Sequence, residues 1–408
     1  MKILQLTNYP INSPSHGGQI RCAMIAKALR DAGHEVKTVA VYVEQDYQPA
    51  SEDDVPFGRS SEYWREEYTF LSDYLSGVHA ATDASALAAL MAVRDKYRPD
   101  IIISEQPWLF AAAEKLAEHH DIRLVHSSQN IEFRLKESML ARASGPASEH
   151  AALSAGIKAV EHHAAVRADL LVACTETDAA YFRNEVEGVR KVVVAGNGVE
   201  PFSCTKSRVE GWRRYMGRPF AAFVSSGHRP NADGFWDMLT PGLSFLAPDE
   251  KILVIGSVGH ILMQMKGARA FERVNASRIE LIKWMEKVDL QAAVSASHVV
   301  LLPISEGEGS NLKTAEALEA GRPIVATSKA FRGFERAASL PHVHITDDPH
   351  VFRRTVRMLL DAPRYEGGTP LDVRSRFYWE RQIGAMVSAI NGLSSRRKPQ
   401  HRTVAGFD

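Results

Sequence analysis

Short apolar runs alternate with stretches of helical spacing along almost the whole chain, the pattern of βαβ units on a parallel sheet. Residues 2–7 read as a strand, followed by a loop rich in Asn, Pro, Ser and Gly. A helix begins near Gly17-Gly18, with Ile20, Met24 and Ala28 in one row and Ile25 and Leu29 beside them. Gly33 stops it, and 35–42 is the next strand. The stretch 44–80 is acidic and aromatic with poor periodicity and reads as a long insertion or a short irregular helical region. The alternation resumes with helices at 84–95 and 108–119, strands at 100–104 and 122–125, and a mostly helical stretch over 130–167. A strand at 169–174, a helix at 177–185 and a strand at 191–195 complete this first set. Gly196, Gly198 and Pro201 then break any regular element. A second set opens at 220–226, with strands at 251–256, 298–304 and 323–327. The pattern predicts two doubly wound α/β domains that meet near residue 200. Ligands of such sheets sit beyond the carboxyl ends of the strands, so the strand-to-helix loops carry the functional candidates.

Composition narrows the function classes. The chain has 408 residues, enough for two or three domains, with 45% apolar and 24% charged residues, as in an ordinary globular protein. Lys plus Arg equals Asp plus Glu at 49 each, which argues against a dedicated nucleic-acid binder. Cys22, Cys174 and Cys204 have no metal-ligand spacing and read as reduced thiols. The first residues do not form a signal peptide, and no run approaches the roughly 20 apolar residues of a membrane span. The expected location is the cytoplasm, with peripheral contact at the inner face of the membrane left open. The pairs His119-His120 and His162-His163 are neighbours on helices and do not share a face, so no metal site is expected there.

The densest chemistry lies at 301–327, where an apolar strand ends in a Gly-rich turn and a helix opens near Ser310 or Asn311. Unpaired N–H groups at a helix start sit at the positive end of its dipole and suit a diphosphate. Lys313 adds a full charge, in a first turn where a cation is unfavourable unless an anion is bound. Glu316, in the second turn, has a carboxylate able to accept two hydrogen bonds, and a ribose offers two adjacent hydroxyls. The plainer alternatives are solvent-facing Glu308 and Glu316, a solvated Lys313, Asn231 as a helix cap, Arg229 as a surface charge, Gly17-Gly18 as a simple helix-start turn and His126 as a satisfied core or strand-end histidine.

The segment resembles the large retaining glycosyltransferase family 4, which has the GT-B fold. Its Glu-x7-Glu hallmark is matched by Glu308 and Glu316, and Ala317-Leu318-Glu319-Ala320-Gly321-Arg322-Pro323 is similar to the helix and strand that follow it. Members often have Gly-Phe-Gly after the first Glu, where Gly309-Ser310-Asn311 stands here; Ser310-Asn311-Leu312-Lys313 is similar to a subgroup with a basic residue at this turn. Gly17-Gly18 resembles the glycine pair near the acceptor and the donor phosphates, and Asn197-Gly198-Val199-Glu200 the interdomain Asn-Gly-Val-Asp. Pro230-Asn231-Ala232-Asp233-Gly234 is similar to a Pro-Asn-x-x-Gly variant of the first C-domain loop. Many members grip phosphate there with an Arg and a Lys; this chain has Arg229 but not the Lys, and Lys313 would compensate. Related enzymes have a His facing the donor sugar where His126 ends a strand, and Trp379 resembles an aromatic residue of a last helix that returns to the N-domain.

The resemblance implies two facing Rossmann-like domains: 1–199 on the acceptor side, with a helix at 370–393 packing back on it, and 200–369 holding the nucleotide sugar. It implies His126, Glu308 and Lys313 as catalytic residues, and Gly17, Gly18, Arg229, Asn231, Ser310, Asn311, Leu312 and Glu316 as donor-binding ones. The expected reaction is retaining transfer, without metal or cofactor, from a nucleotide sugar (a UDP- or GDP-sugar first) to a sugar, glycolipid or polysaccharide. Cell-envelope polysaccharide or glycoconjugate synthesis is the implied setting. Another GT-B enzyme, such as a sugar-nucleotide epimerase or a phosphorylase, and a non-catalytic binding module are the alternatives.

Overall fold

The computed structural model describes residues 1–48, 51–59, 61, 64, 66–306 and 310–393. Among the described residues, thirteen strands form two separate, wholly parallel sheets. The first holds β1 (Lys2–Thr7), β2 (Glu35–Val43), β3 (Val55–Phe57), β4 (Ile101–Glu105), β5 (Arg123–Ser127), β6 (Leu170–Ala173) and β7 (Val192–Val194), in the order β3-β2-β1-β4-β5-β6-β7. The second holds β8 (Phe220–Val224), β9 (Lys251–Ile255), β10 (Ile279–Ile282), β11 (Val299–Leu302), β12 (Ile324–Ala326) and β13 (Val343–Ile345), in the order β10-β9-β8-β11-β12-β13. Their central strands are apolar on both faces, as helices on both sides require: Ile101, Ile102 and Ile103 of β4 and Val299, Val300, Leu301 and Leu302 of β11 are all buried. Parallel crossovers then impose the rest of the alternation.

In each sheet the strand order reverses once, between β1 and β4 and between β8 and β11. A crevice opens at such a reversal because the helices on its two sides depart to opposite faces. The loop after β1 leads to Gly17-Gly18, the loop after β8 to Arg229 and Asn231, and the loop after β11 to Lys313 and Glu316. Topology alone thus brings most of the candidate residues to the two switch points.

Two features depart from the sequence reading. The stretch 44–80 is neither an unstructured insertion nor wholly helical: Val55–Phe57 joins the sheet as its edge strand, pairing Val41 with Val55 and Val43 with Phe57, and a regular helix spans Ser72–Thr82. Three residues are too few for a strand period to show, and that helix mixes Gly, Ser, Thr and His among its apolar positions. The strand at 122–125 extends to Ser127, which carries His126 inside the sheet.

The last helix, Trp379–Leu393, leaves the second domain and packs on the first sheet. Trp379, Ile383, Met386 and Ile390, at helical spacing, join Ile25 and Leu29 of the Gly17–Asp31 helix and Ile103, Val125 and Val172 of the strands in one apolar core. The second domain has its own core, where Phe235, Trp236 and Leu239 of the Arg229–Leu239 helix meet Phe223, Val254 and Leu301. Among the described residues no helix is long and apolar enough to cross a membrane.

Candidate active site in the gap between the sheets

Two helices start side by side at the second switch point. Asn311 caps the Leu312–Ala320 helix, its side-chain oxygen accepting from Lys313 N at 3.1 Å. Lys313 Nζ reaches across to the other helix and donates to Asn231 Oδ1 at 2.8 Å. Asn231 is not the cap of the Arg229–Leu239 helix; that position belongs to His228, which makes no capping bond with its side chain. The Asn231 amide instead donates to Ser226 O at 3.1 Å, which turns its oxygen toward the lysine. A full cation therefore stands between two helix starts, where dipoles already favour an anion.

Lys313 and Glu316 are half-buried and electrostatically linked. Burial pushes the ammonium down to about 8, with attraction to Glu316 working the other way. Burial pushes the Glu316 carboxyl up to about 7, against the pull of Lys313 and then Lys287. Each group keeps a charge near neutrality at a cost, which a ligand of opposite charge or a hydrogen-bond donor would offset.

The opposite wall comes from the first domain. Leu312 packs against the core that the Gly17–Asp31 helix shares with the first sheet. A Cβ on Gly17 would lie 3.3 Å from Leu312 Cδ1, so the starts of the Gly17–Asp31 and Leu312–Ala320 helices meet across the gap. Gly18 is tighter still: its Cβ would stand 2.3 Å from Tyr9 Oη and 3.0 Å from Gln129 Oε1. Tyr9, Cys22 and Gln129 form a buried polar cluster under this loop, with Gln129 Nε2 donating to Tyr9 Oη at 2.9 Å.

Gly17, Gly18, Leu312, Asn311, Lys313 and Asn231 thus come together, with Glu316 farther along the same helix. Four candidates read from the sequence stand differently. His126 takes the plainer of its two readings: it is fully buried in β5 with its ring edge-on to Phe110 at 6.2 Å, and burial lowers its pKa to about 4. Leu124, on the same face of the strand, shares an apolar core with Phe110, so His126 points toward that helix layer. The Ser310 hydroxyl accepts from Asn197 N at 3.2 Å and lies 3.3 Å from Cys174 Sγ, so that side chain is engaged at the domain junction. Arg229 projects into solvent, with 77% of its side chain exposed and Asp233 at 3.6 Å. Glu308 lies outside the described residues.

His228 was missed. Its surface is open, but the walls of the gap crowd it and lower its pKa, first by desolvation, then through Lys313 and Lys136, with Glu306 opposing. Glu306 was also missed; it pairs with Arg142 of the first domain across the gap. The signal for His228 was its place in a strand-to-helix loop directly before Arg229-Pro230. An ion pair between residues so far apart in sequence leaves none.

Two facing doubly wound domains, with paired helix starts and a lysine where they meet, define the GT-B class. Residues 16–198 match the model of the glycosyl transferase 4-like domain, and residues 221–361 match that of glycosyl transferases group 1. The chain is a glycosyltransferase of the GT-B fold. No curated protein matches it. Among solved structures it is similar to sucrose-phosphate synthase from Thermosynechococcus elongatus, at TM-score 0.73 and 15% identity over 97% of this chain and 100% of that one. It is also similar to HepE from Anabaena in complex with UDP-glucose, at TM-score 0.62 and 14% identity over 97% and 100%. A third is an α,α-trehalose-phosphate synthase (UDP-forming) from Burkholderia xenovorans, at TM-score 0.64 and 15% identity over 97% and 100%.

Proposed function

We propose that the chain transfers a sugar, with retention of anomeric configuration and without a metal ion, from a nucleoside-diphosphate sugar held on the second domain to an acceptor on the first. The observation that carries this reading is the Lys313 ammonium held at 2.8 Å by Asn231 between two helix starts. Departure of a nucleoside diphosphate builds negative charge on its β-phosphate oxygens. Fixed dipoles and an ammonium aimed at that position stabilise it without reorganisation, the role a divalent cation has in other transferases. Arg229, exposed at the first residue of its helix, is the second phosphate-directed cation. Glu316 accepts from the ribose hydroxyls, and Glu308, where the resemblance matches it, contacts the hydroxyls of the donor sugar.

The expected route is front-face, with the leaving phosphate taking the acceptor proton. His228, open to the gap, is better placed than His126 to hydrogen-bond the reacting groups. The UDP-glucose complex of the similar HepE makes UDP-glucose the first donor to test. The acceptor is a sugar, glycolipid or polysaccharide, in cell-envelope or glycoconjugate synthesis.

Thermal denaturation with UDP-, GDP-, ADP- and TDP-sugars tests the reading. A cognate donor at about 100 times its Kd adds about 2.7 kcal/mol, a rise of several degrees. No shift with any of them would remove the donor assignment. The anomeric configuration of the product, read by NMR, tests retention, and undiminished turnover in chelator tests metal independence.

A further inference from the structure

The linker quartet Asn197-Gly198-Val199-Glu200 joins the two domains, and the site just described uses none of it. Val199 N donates to Phe377 O at 2.8 Å and Val199 O accepts from Trp379 N at 3.3 Å, so the linker pairs with the chain returning to the last helix. Gly198 permits that approach, since a Cβ there would lie 2.7 Å from Trp379 N. Glu200 pairs with Lys287. These contacts account for a junction. Asn197 does more.

The Oδ1 of Asn197 accepts from Arg21 Nη1 at 3.2 Å, and its Nδ2 donates to Ser310 O at 2.8 Å. Its backbone N–H donates to Ser310 Oγ at 3.2 Å. Both ends of the amide are assigned by their partners, because a guanidinium only donates and a carbonyl only accepts. Arg21 is 1% exposed and fixed by a second bond, from Nη2 to Ala195 O at 2.7 Å. Arg21 lies one helical turn after Gly17, and Ser310 immediately precedes the cap of the helix that carries Lys313. One side-chain amide therefore spans the two turns that face each other across the gap.

We propose that Asn197 is a positioning residue for glycosyl transfer: its amide sets the turn before the Leu312–Ala320 helix in register with the Gly17–Asp31 helix. A donor on the second domain is thereby presented to the first domain in one geometry. The inference rests on the transfer reading above and adds what holds its two halves together. Lys313, Asn231 and Glu316 all belong to the second domain, so nucleotide binding does not require the amide. Transfer does, and a misplacement of about 1 Å can cost roughly a hundredfold in rate.

The test uses the full chain and two variants. Asn197→Asp keeps an oxygen for Arg21 but cannot donate to Ser310 O; Asn197→Ala removes both bonds. Nucleotide affinity is measured by calorimetry with UDP, GDP, ADP and TDP. Turnover is followed as nucleotide release from the corresponding glucose donors. Both variants are expected to keep the nucleotide Kd within about threefold and to lose roughly ten- to a hundredfold in kcat. If Asn197→Ala does not fold, the near-isosteric Asn197→Asp carries the test. A kcat within about twofold of wild type would overturn the assignment, as would a loss of nucleotide affinity matching the loss of kcat, the mark of general damage. A wild-type chain that neither binds nor turns over any of the donors would instead sink the transfer reading, and this inference with it.

Discussion

Lys313 is the residue on which the chemistry turns. Replacing it by Ala removes the one described ammonium between the two helix starts, and turnover should fall by roughly 10²–10³-fold, as for other preorganised charge-stabilising groups. The melting temperature should hardly change, since burial already disfavours this charge; turnover near wild type would take Lys313 out of the mechanism. The pH dependence follows from the linked pair. Glu316 must lose its proton, near 7, to accept from ribose hydroxyls, and Lys313 loses its charge above about 8. The rate kcat/KM should therefore rise through about pH 7 and fall above about pH 8. Stability runs the other way for Glu316: its raised folded pKa favours the protonated form, so its contribution is present below the unfolded value and is lost as pH climbs to about 7. A kcat/KM profile flat from pH 6 to 9 would contradict the pairing of these two groups. Lys313 and Glu316 were legible because their type and spacing follow a strand, a turn and a helix start. His126 could be read either way because a strand's last residues face alternate sides, and the sequence does not say which side meets the helices.

At the scale of elements, the start of the Gly17–Asp31 helix is as tightly determined as any described part of the site. A Cβ at Gly18 would meet Tyr9 Oη at 2.3 Å, so Gly18→Ala should cost roughly 1–3 kcal/mol. Adding Tyr9→Phe removes the nearest atom and should recover part of that loss in chemical denaturation; no recovery would mean that the tyrosine hydroxyl is not the obstacle. Strand and helix boundaries in the βαβ runs were readable because buried parallel strands are continuously apolar. The edge strand Val55–Phe57 and the Ser72–Thr82 helix were not, being respectively too short and too mixed in composition to show a period.

At the scale of the whole molecule, the last helix ties the domains into one unit. Trp379 is 5% exposed in the core of the first domain although the chain reaches it from the second. Trp379→Ala should cost about 3–5 kcal/mol and lower the melting temperature of the first domain; an unchanged melting curve would mean that the helix is not part of that core. The two-domain plan was visible in the sequence because Gly196, Gly198 and Pro201 interrupt the alternation, whereas the bridge from Arg21 through Asn197 to Ser310 links residues with no local pattern. A crystal structure with bound UDP tests the central claim most directly. The account predicts the β-phosphate within about 3 Å of Lys313 Nζ, with the ribose hydroxyls on the Glu316 carboxylate. A nucleotide lodged elsewhere, with Lys313 still bonded only to Asn231, would contradict it.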